Sequence, residues 1–254
     1  MGPVGNRVAL VTGASKGIGL AAAQRLARDG FRVALLSRDR SSLEQAAASV
    51  PGETLVVPAD VTDADQVEAA FRTVEDTWGP VEVLVVNAGN GSASTIPETT
   101  DAEWQRMLDL NLTAPFRCLR RALPGMLGAG WGRVVVVASV ASKVGERQIA
   151  AYTASKHGVL GLVRSAAAEV ARSGVTVNAV CPGYVDTPMT DDSVAAIAER
   201  TGKGLDEARQ ILERKQPIGR LVDVAEVADV VSLCVANGAV NGQGINIDGG
   251  AVQS

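Results

Sequence analysis

The sequence predicts an α/β fold: a doubly wound, seven-stranded parallel sheet with helices on both faces. Three observations predict it. Short apolar runs alternate with stretches of helical spacing from one end of the chain to the other. The strand-like runs are almost continuously apolar, without the polar alternation of a half-exposed antiparallel sheet, so both faces must be covered. Finally, 254 residues with 46% apolar and 20% charged side chains suffice for one large core, and no repeat, low-complexity segment or linker divides them.

Taken in order, a first strand at residues 7–11 runs into a glycine-rich turn and a helix at 17–29, which Gly30 stops before a strand at 32–36. A helix at 41–50 leads to a third strand at 55–57. Asp63 is an N-cap candidate for a helix at 63–78, which Gly79-Pro80 ends before the fourth strand, 83–86. Helical spacing then runs long, from 101 to 127. Asp101 is its N-cap candidate, with Thr99, Thr100 and, later, Asp223 of similar use. Pro115 inside it predicts a kink or two consecutive helices. The fifth strand, 133–138, precedes a helix at 150–172, closed by Gly174, and a sixth strand at 175–180. Residues 185–216 break the rhythm, being polar, helical in pieces and interrupted by Gly202 and Gly204. Insertions after strand ends are where such folds carry a substrate cover, against the plainer reading of a decorated loop. A helix at 224–236 and a seventh strand at 244–247 complete the pattern.

Composition narrows the function. Aromatics are 3%, so the core is built from Ala, Val, Leu and Ile. A net charge of −4 gives no general attraction to nucleic acid or anionic membrane, and neither partner is expected. Cys118, Cys181 and Cys234 lie far apart without metal-like spacing and read as buried thiols in a reducing cytosol. His157 is the only histidine, which excludes His-based metal sites and Ser-His-Asp triads; no metal is expected. With no signal core and no bilayer-length apolar run, a cytoplasmic location is the expectation.

The first strand enters Thr12-Gly13-Ala14-Ser15-Lys16-Gly17-Ile18-Gly19 and then a helix. Glycines in the first βα turn let the backbone approach a pyrophosphate, and the helix N-terminus adds amide donors and a favourable dipole. Tyr152 and Lys156, four residues apart on one predicted helix, share a face. A phenol titrates near ~10, and a neighbouring ammonium lowers that value toward the range of a useful acid–base group.

The spacing TGxxxGxG resembles the short-chain dehydrogenases/reductases. So do Asp60-Val61 after the third strand, Asn87-Ala88-Gly89 after the fourth, Asn111, Ser139, Tyr152 with Lys156, and Pro182-Gly183 followed by Thr187. The resemblance covers essentially the whole chain and implies a single Rossmann domain, residues 1–254, with hydride-transfer activity. It implies catalytic roles for all four tetrad residues: Ser139 steadies the substrate oxygen, Tyr152 transfers the proton, Lys156 also holds the ribose, and Asn111 holds a water linking Lys156 to solvent. It assigns the cofactor to Gly13, Ser15, Lys16, Gly17, Ile18 and Gly19, to Asp60 and Val61 about the adenine, and to Asn87, Ala88 and Gly89 beside the ribose. Pro182, Gly183, Val185 and Thr187 would hold the nicotinamide. Ser37 stands where NAD-preferring relatives carry aspartate, and Arg38 follows, so with Lys16 the reading favours NADP(H) over NAD(H). Asp39, one residue on, argues the other way.

The C-terminal half resembles the ketoacyl and polyketide ketoreductases, implying a ketone or secondary alcohol substrate, including CoA or carrier-protein thioesters. Gly130-Trp131 lie where carrier-protein reductases would be basic, against docking through Arg120, Arg121, Arg133 and Arg172. Pocket walls are expected at 90–97, 140–150 and 185–216. There Arg147 either meets a substrate anion or pairs with Glu146 or Asp191. His157 is expected to be structural. Family resemblance also implies a homotetramer. The alternatives are an NAD-dependent secondary alcohol dehydrogenase and a non-catalytic NADP-binding regulator.

Overall fold

Residues 6–253 are described in a computed structural model. Strands β1 (Val8–Thr12), β2 (Arg32–Ser37), β3 (Thr54–Pro58), β4 (Val83–Val86), β5 (Gly132–Val137), β6 (Val175–Pro182) and β7 (Gly244–Ile247) form one sheet. Every pairing is parallel, in the order β3-β2-β1-β4-β5-β6-β7. The order reverses between β1 and β4. There the connecting segments leave in opposite directions and open a crevice beyond the strand C-termini.

Alternate residues of each strand feed two separate cores. Leu10, Leu36, Leu84, Val134 and Val136 face a layer made by α3 (Ala64–Trp78), α5 (Ala114–Ala129) and α6 (Ala150–Val170), with Phe71, Ala122 and Leu160 at its centre. Val11, Val33, Leu35, Val85, Val135 and Val137 face α1 (Gly17–Arg28), α2 (Arg40–Ala47) and α9 (Val224–Ala236) through Ala22, Leu26, Leu43 and Val231. A strand feeding two helical layers must be apolar on both sides, which explains the continuous runs. A third, small cluster of Val194, Ala208, Leu212 and Leu221 lies under α7 (Pro188–Thr201) and α8 (Leu205–Glu213).

Expected strand limits are met to within two residues, and Gly30, Gly79 and Gly174 follow α1, α3 and α6. Two expectations need correction. Helix α2 stops at Ala47 because Ser49 and Val50 turn back onto Ala46 and Ala47 in tighter hydrogen bonds. Thr100, not Asp101, caps α4 (Asp101–Leu108), its hydroxyl accepting from the Glu103 amide at 3.2 Å. The long helical stretch is two helices, as Pro115 predicted, joined by a π-helical turn at Asp109–Thr113. The α-helical donor for the Asn111 carbonyl would be residue 115, a proline with no N–H. The chain widens there instead, with the Ala114 amide reaching Asp109.

Candidate active site

The turn after β1 is built by close packing. Gly13 and Gly17 adopt left-handed backbone angles, φ +65° and +58°. A Cβ on Gly19 would lie 2.3 Å from the Gly13 carbonyl oxygen, so the first turn of α1 can sit against the loop only without a side chain. Asn87 locks this arrangement from β4: its Nδ2 donates to the Thr12 and Gly13 carbonyls, both at 3.1 Å. The Thr12 hydroxyl accepts from the Asn87 and Ala88 amides, both at 3.0 Å. The expected ribose-side residue thus spends its amide on holding the glycine turn.

Beyond that turn lies a crevice of about 1180 Å³, lined by Gly13, Ser15, Lys16, Gly17, Ile18, Ser37, Arg38, Asp60, Val61, Asn87, Ala88, Gly89 and Thr187. At its far end, β2 stops at Ser37 and Asp39 caps α2. The Asp39 carboxylate accepts from the Ser42 amide at 2.8 Å and the Ser42 hydroxyl at 2.5 Å, which hold its pKa below the usual value. Asp39 is therefore committed to the helix. Arg38 and Lys16 are exposed and make no ion pair or side-chain hydrogen bond among the described residues. The Ser37 hydroxyl is buried at the same edge without a partner.

A narrower chamber of about 110 Å³ adjoins the crevice, sharing Ile18, Asn87, Gly89 and Thr187 with it. Ser139, Tyr152, Lys156, Pro182, Gly183 and Val185 also line it. Ser139 lies two residues beyond β5 and caps a short 3-10 turn; its Oγ accepts from the Ala141 amide at 3.1 Å, which leaves its proton to donate. It lines the chamber with Tyr152. One turn along α6, the Lys156 ammonium lies 5.6 Å from the centroid of the Tyr152 ring and donates to the Val137 carbonyl at 3.0 Å. It is 6% exposed. Burial pulls its pKa down to about 8. Burial also raises the Tyr152 phenol, against the lowering by the Ser139 hydroxyl. The expectation that Lys156 would lower the phenol is corrected: desolvation dominates, and the only lowering comes from Ser139.

Asn111 stands on the π-helical turn, 1% exposed and lining neither space. Its side chain clasps the backbone of Asn90, accepting from N–H at 3.2 Å and donating to C=O at 2.9 Å. A Cβ on Gly89 would fall 2.9 Å from Asn111 Oδ1 and 3.6 Å from Lys156 Nζ, so the two residues meet across Gly89.

Comparison with known proteins fits this geometry. Residues 7–198 match the family described as short chain dehydrogenase. The chain belongs to that family. It is 40% identical over 250 residues to the 3-oxoacyl-[acyl-carrier-protein] reductase MabA of Mycobacterium tuberculosis (strain ATCC 25618 / H37Rv), covering 98% of this chain and 94% of the relative. The solved structure of a variant of actinorhodin polyketide ketoreductase with NADPH superposes with a TM-score of 0.94 at 38% identity, covering 97% of each chain. Levodione reductase superposes with a TM-score of 0.91 at 33% identity, over 96% of each.

In this short chain dehydrogenase the crevice fits a nicotinamide dinucleotide. The left-handed glycine turn presents amides at a helix N-terminus, Lys16 and Arg38 stand at the edge without an ion pair among the described residues, the Asp39 carboxylate there is engaged by Ser42, and the Ser37 hydroxyl is buried without a partner. Several peripheral readings change. Glu146 bonds Tyr184 and Lys215, and Asp191 pairs with Arg209 at 3.8 Å, so neither neutralises the exposed Arg147. Arg121 is held by Glu68 and Glu75, and Arg133 is buried against the Gly132, Gly174 and Val235 carbonyls, which removes both from any basic docking face. The Arg7 and Arg133 guanidiniums both lie against the Trp131 ring, 3.7 and 4.6 Å from its centroid, so the residue that interrupts the expected basic turn has a packing role. His157 is exposed, its Nδ1 3.0 Å from the Thr153 carbonyl. All three cysteines are buried; burial lifts the Cys118 thiol to about 12 and Cys234 to about 11. No helix among the described residues is long and apolar enough to cross a membrane.

Sequence reasoning missed Gln216. Its buried amide accepts from the Tyr184 N–H at 2.9 Å and donates to the Tyr184 carbonyl at 3.1 Å, bracing the loop that carries Gly183 and Val185. Its partner is 32 residues away, and a glutamine in a polar stretch carries no local signal.

Proposed function

We propose that the protein is an NADP(H)-dependent ketoreductase, reducing a small ketone or a 3-oxoacyl thioester to the alcohol. The observation that carries this reading is the convergence of Ser139, Tyr152 and Lys156 on one chamber that opens into a crevice edged by Lys16 and Arg38. Asp39, the carboxylate that would disfavour a 2′-phosphate, is turned to its helix. The phosphate would lie with Lys16, Ser37 and Arg38, the pyrophosphate over residues 13–19, and the adenine between Asp60 and Val61. Pro182, Gly183, Val185 and Thr187 would hold the nicotinamide.

When bound, NADPH supplies the hydride for the carbonyl carbon. Tyr152 gives its proton to the carbonyl oxygen. Burial holds the phenol protonated at neutral pH, the form that reduction requires. Ser139, which already accepts from the Ala141 amide, donates its own proton to the same oxygen as charge develops. Lys156 has one donor on the Val137 carbonyl and others for the ribose and for passing a proton to Tyr152. The Asn111 carbonyl, denied its α-helical donor by Pro115, is the group to hold the water that connects Lys156 to solvent.

The reading extends to residues 185–216 as a substrate cover on a single domain spanning 1–254, and to a cytoplasmic homotetramer. Exposed Trp104 on α4, with Phe116 and Leu127 on α5, supports the assembly as an apolar face. The test is oxidation of NADPH and NADH with acetoacetyl thioesters, cyclic diketones and aryl ketones, with Tyr152→Phe alongside. Ketone-dependent turnover preferring NADPH and lost in the variant is the expected result. A preference for NADH would move the reading to an NAD-dependent dehydrogenase, and tight cofactor binding without turnover would favour the non-catalytic one. Light scattering at the monomer mass would refute the tetramer.

A further inference from the structure

Two seams lie beside the chamber, one next to Tyr152 and one next to Gly183. At the first, the segment carrying Gly91, whose Cβ would come within 3.9 Å of the Tyr152 ring, joins the loop before α6 through main chain. Ser94 N–H donates to the Gln148 carbonyl at 2.7 Å, and Ser94 bridges Ile149 in parallel register. The second seam is made of side chains alone. Glu146, from the same loop, accepts from the Tyr184 hydroxyl at 3.1 Å and pairs with Lys215, whose ammonium also lies 3.2 Å from the Tyr184 oxygen and 5.3 Å from its ring centroid.

Tyr184 is the joint between three parts. Its backbone is clasped by Gln216 and its carbonyl also accepts from the Val222 amide at 2.9 Å, which fixes it directly after Gly183 of the inner chamber. Its ring packs against Val194, Ala208, Leu212 and Leu221, the small core of α7 and α8. Its hydroxyl reaches the opposite wall. Burial and the neighbouring Glu146 carboxylate both raise the Tyr184 phenol, so it stays a donor at neutral pH. Burial alone would pull the Lys215 ammonium down, but its bonds to Glu146 and Tyr184 outweigh this and leave it charged.

We propose that Glu146, Tyr184 and Lys215 form a latch that pins α7 and α8 across the substrate mouth, so that this ketoreductase selects ketones by length and favours compact ones. The argument rests on the ketoreductase reading. A main-chain seam opens only with its loop, whereas a seam of side chains opens by side-chain rotation; here these are the Glu146–Lys215 pair, the Tyr184 phenol and the Arg200 guanidinium, which donates to Gln148 Oε1 at 2.8 Å. An elongated acyl chain must therefore displace the latch, and a compact ketone need not. Lys215 and Glu146 are 45% and 39% exposed, so their pairing is a weak tie that a bound chain can break.

The test uses the full chain as wild type, Lys215→Met and Glu146→Gln, read two ways. Hydrogen exchange of residues 188–213, with and without NADPH, is expected to speed by about two- to fivefold in both variants, the scale of one partly exposed ion pair. The kcat/KM ratio of a long 3-oxoacyl thioester to its acetoacetyl counterpart is expected to rise by about fivefold in both. Unchanged exchange with an unchanged ratio, in an active wild type, overturns the latch alone. Loss of turnover in Lys215→Met confined to phosphate-bearing thioesters also overturns it, since Lys215 would then be a substrate ligand. A wild type inactive on every ketone refutes the ketoreductase reading, and the length selection with it. Should one variant fail to fold, the other removes the same ion pair from the opposite side and must give the same result.

Discussion

Lys156→Met should make the protein more stable at neutral pH while abolishing its activity. Burial lowers the Lys156 pKa from 10.5 to about 8. At roughly 1.4 kcal/mol per unit, keeping that ammonium charged inside the fold costs about 3 kcal/mol. Replacing it with an unbranched apolar side chain of similar length removes the cost but forfeits the bond to the Val137 carbonyl, worth about 1 kcal/mol. The net is a gain of about 2 kcal/mol, or about 4–8 °C in Tm for a chain of this size. The pH dependence sets this apart from improved packing. Below pH 8 the lysine is charged in both folded and unfolded chains, and the folded state bears the full penalty. From 8 to 10.5 the unfolded chain holds a proton that the folded one has released, so the wild type gains stability as pH rises. Above 10.5 both states are neutral and the penalty is gone. Thermal melts of both proteins from pH 7 to 10.5 should therefore cross, the variant's advantage of about 2 kcal/mol at pH 7 giving way to a deficit of about 1 kcal/mol, the lost bond to Val137, once the penalty is gone. A variant no more stable than wild type at pH 7, or an advantage that persists undiminished at pH 10.5, would refute the reasoning.

Three further outcomes are expected. Tyr152→Phe should reduce turnover by about 10²–10⁴-fold, the usual contribution of a positioned general acid, while NADPH titrations followed by nicotinamide fluorescence give a nearly unchanged Kd. Arg38→Ala should cut the NADPH-over-NADH ratio of kcat/KM by about 10- to 100-fold through loss of a charged hydrogen bond to phosphate; an unmoved ratio would mean that Arg38 does not contact the cofactor. Gly19→Ala places a Cβ 2.3 Å from the Gly13 oxygen, so calorimetry should detect no NADPH binding, and a protein that still binds normally would show that the turn can yield.

Much of the fold was legible because its signals are local. Continuous apolar runs, glycines at helix ends and Pro115 each act through their own backbone, and the sheet, the helix junctions and the break before α5 follow from them. That Ser139, Tyr152 and Lys156 share a chamber beside the glycine turn was legible because a strand-end serine and a Tyr–Lys pair one helical turn apart follow the pattern of the family the sequence resembles. Cap identity at Thr100 and the end of α2 were not, since neighbouring residues compete for the same amides at little difference in energy.

The sequence by itself determined the doubly wound sheet, the crevice at its switch point and the side chains that converge there. Tertiary structure alone decided how those side chains are tuned and what holds them. Lys156 is drawn down, and Tyr152 raised, by desolvation that arises only when loops and helices close around them. The Asp39 carboxylate at the crevice edge is engaged by a helix cap, Asn87 is committed to the glycine turn, and Arg121 and Arg133 are held by partners distant in the chain. Gln216 and the Glu146–Tyr184–Lys215 cluster join residues 31 to 69 positions apart. Local pattern reports what a residue can do; solvent exclusion and long-range partners settle its charge and its bonds.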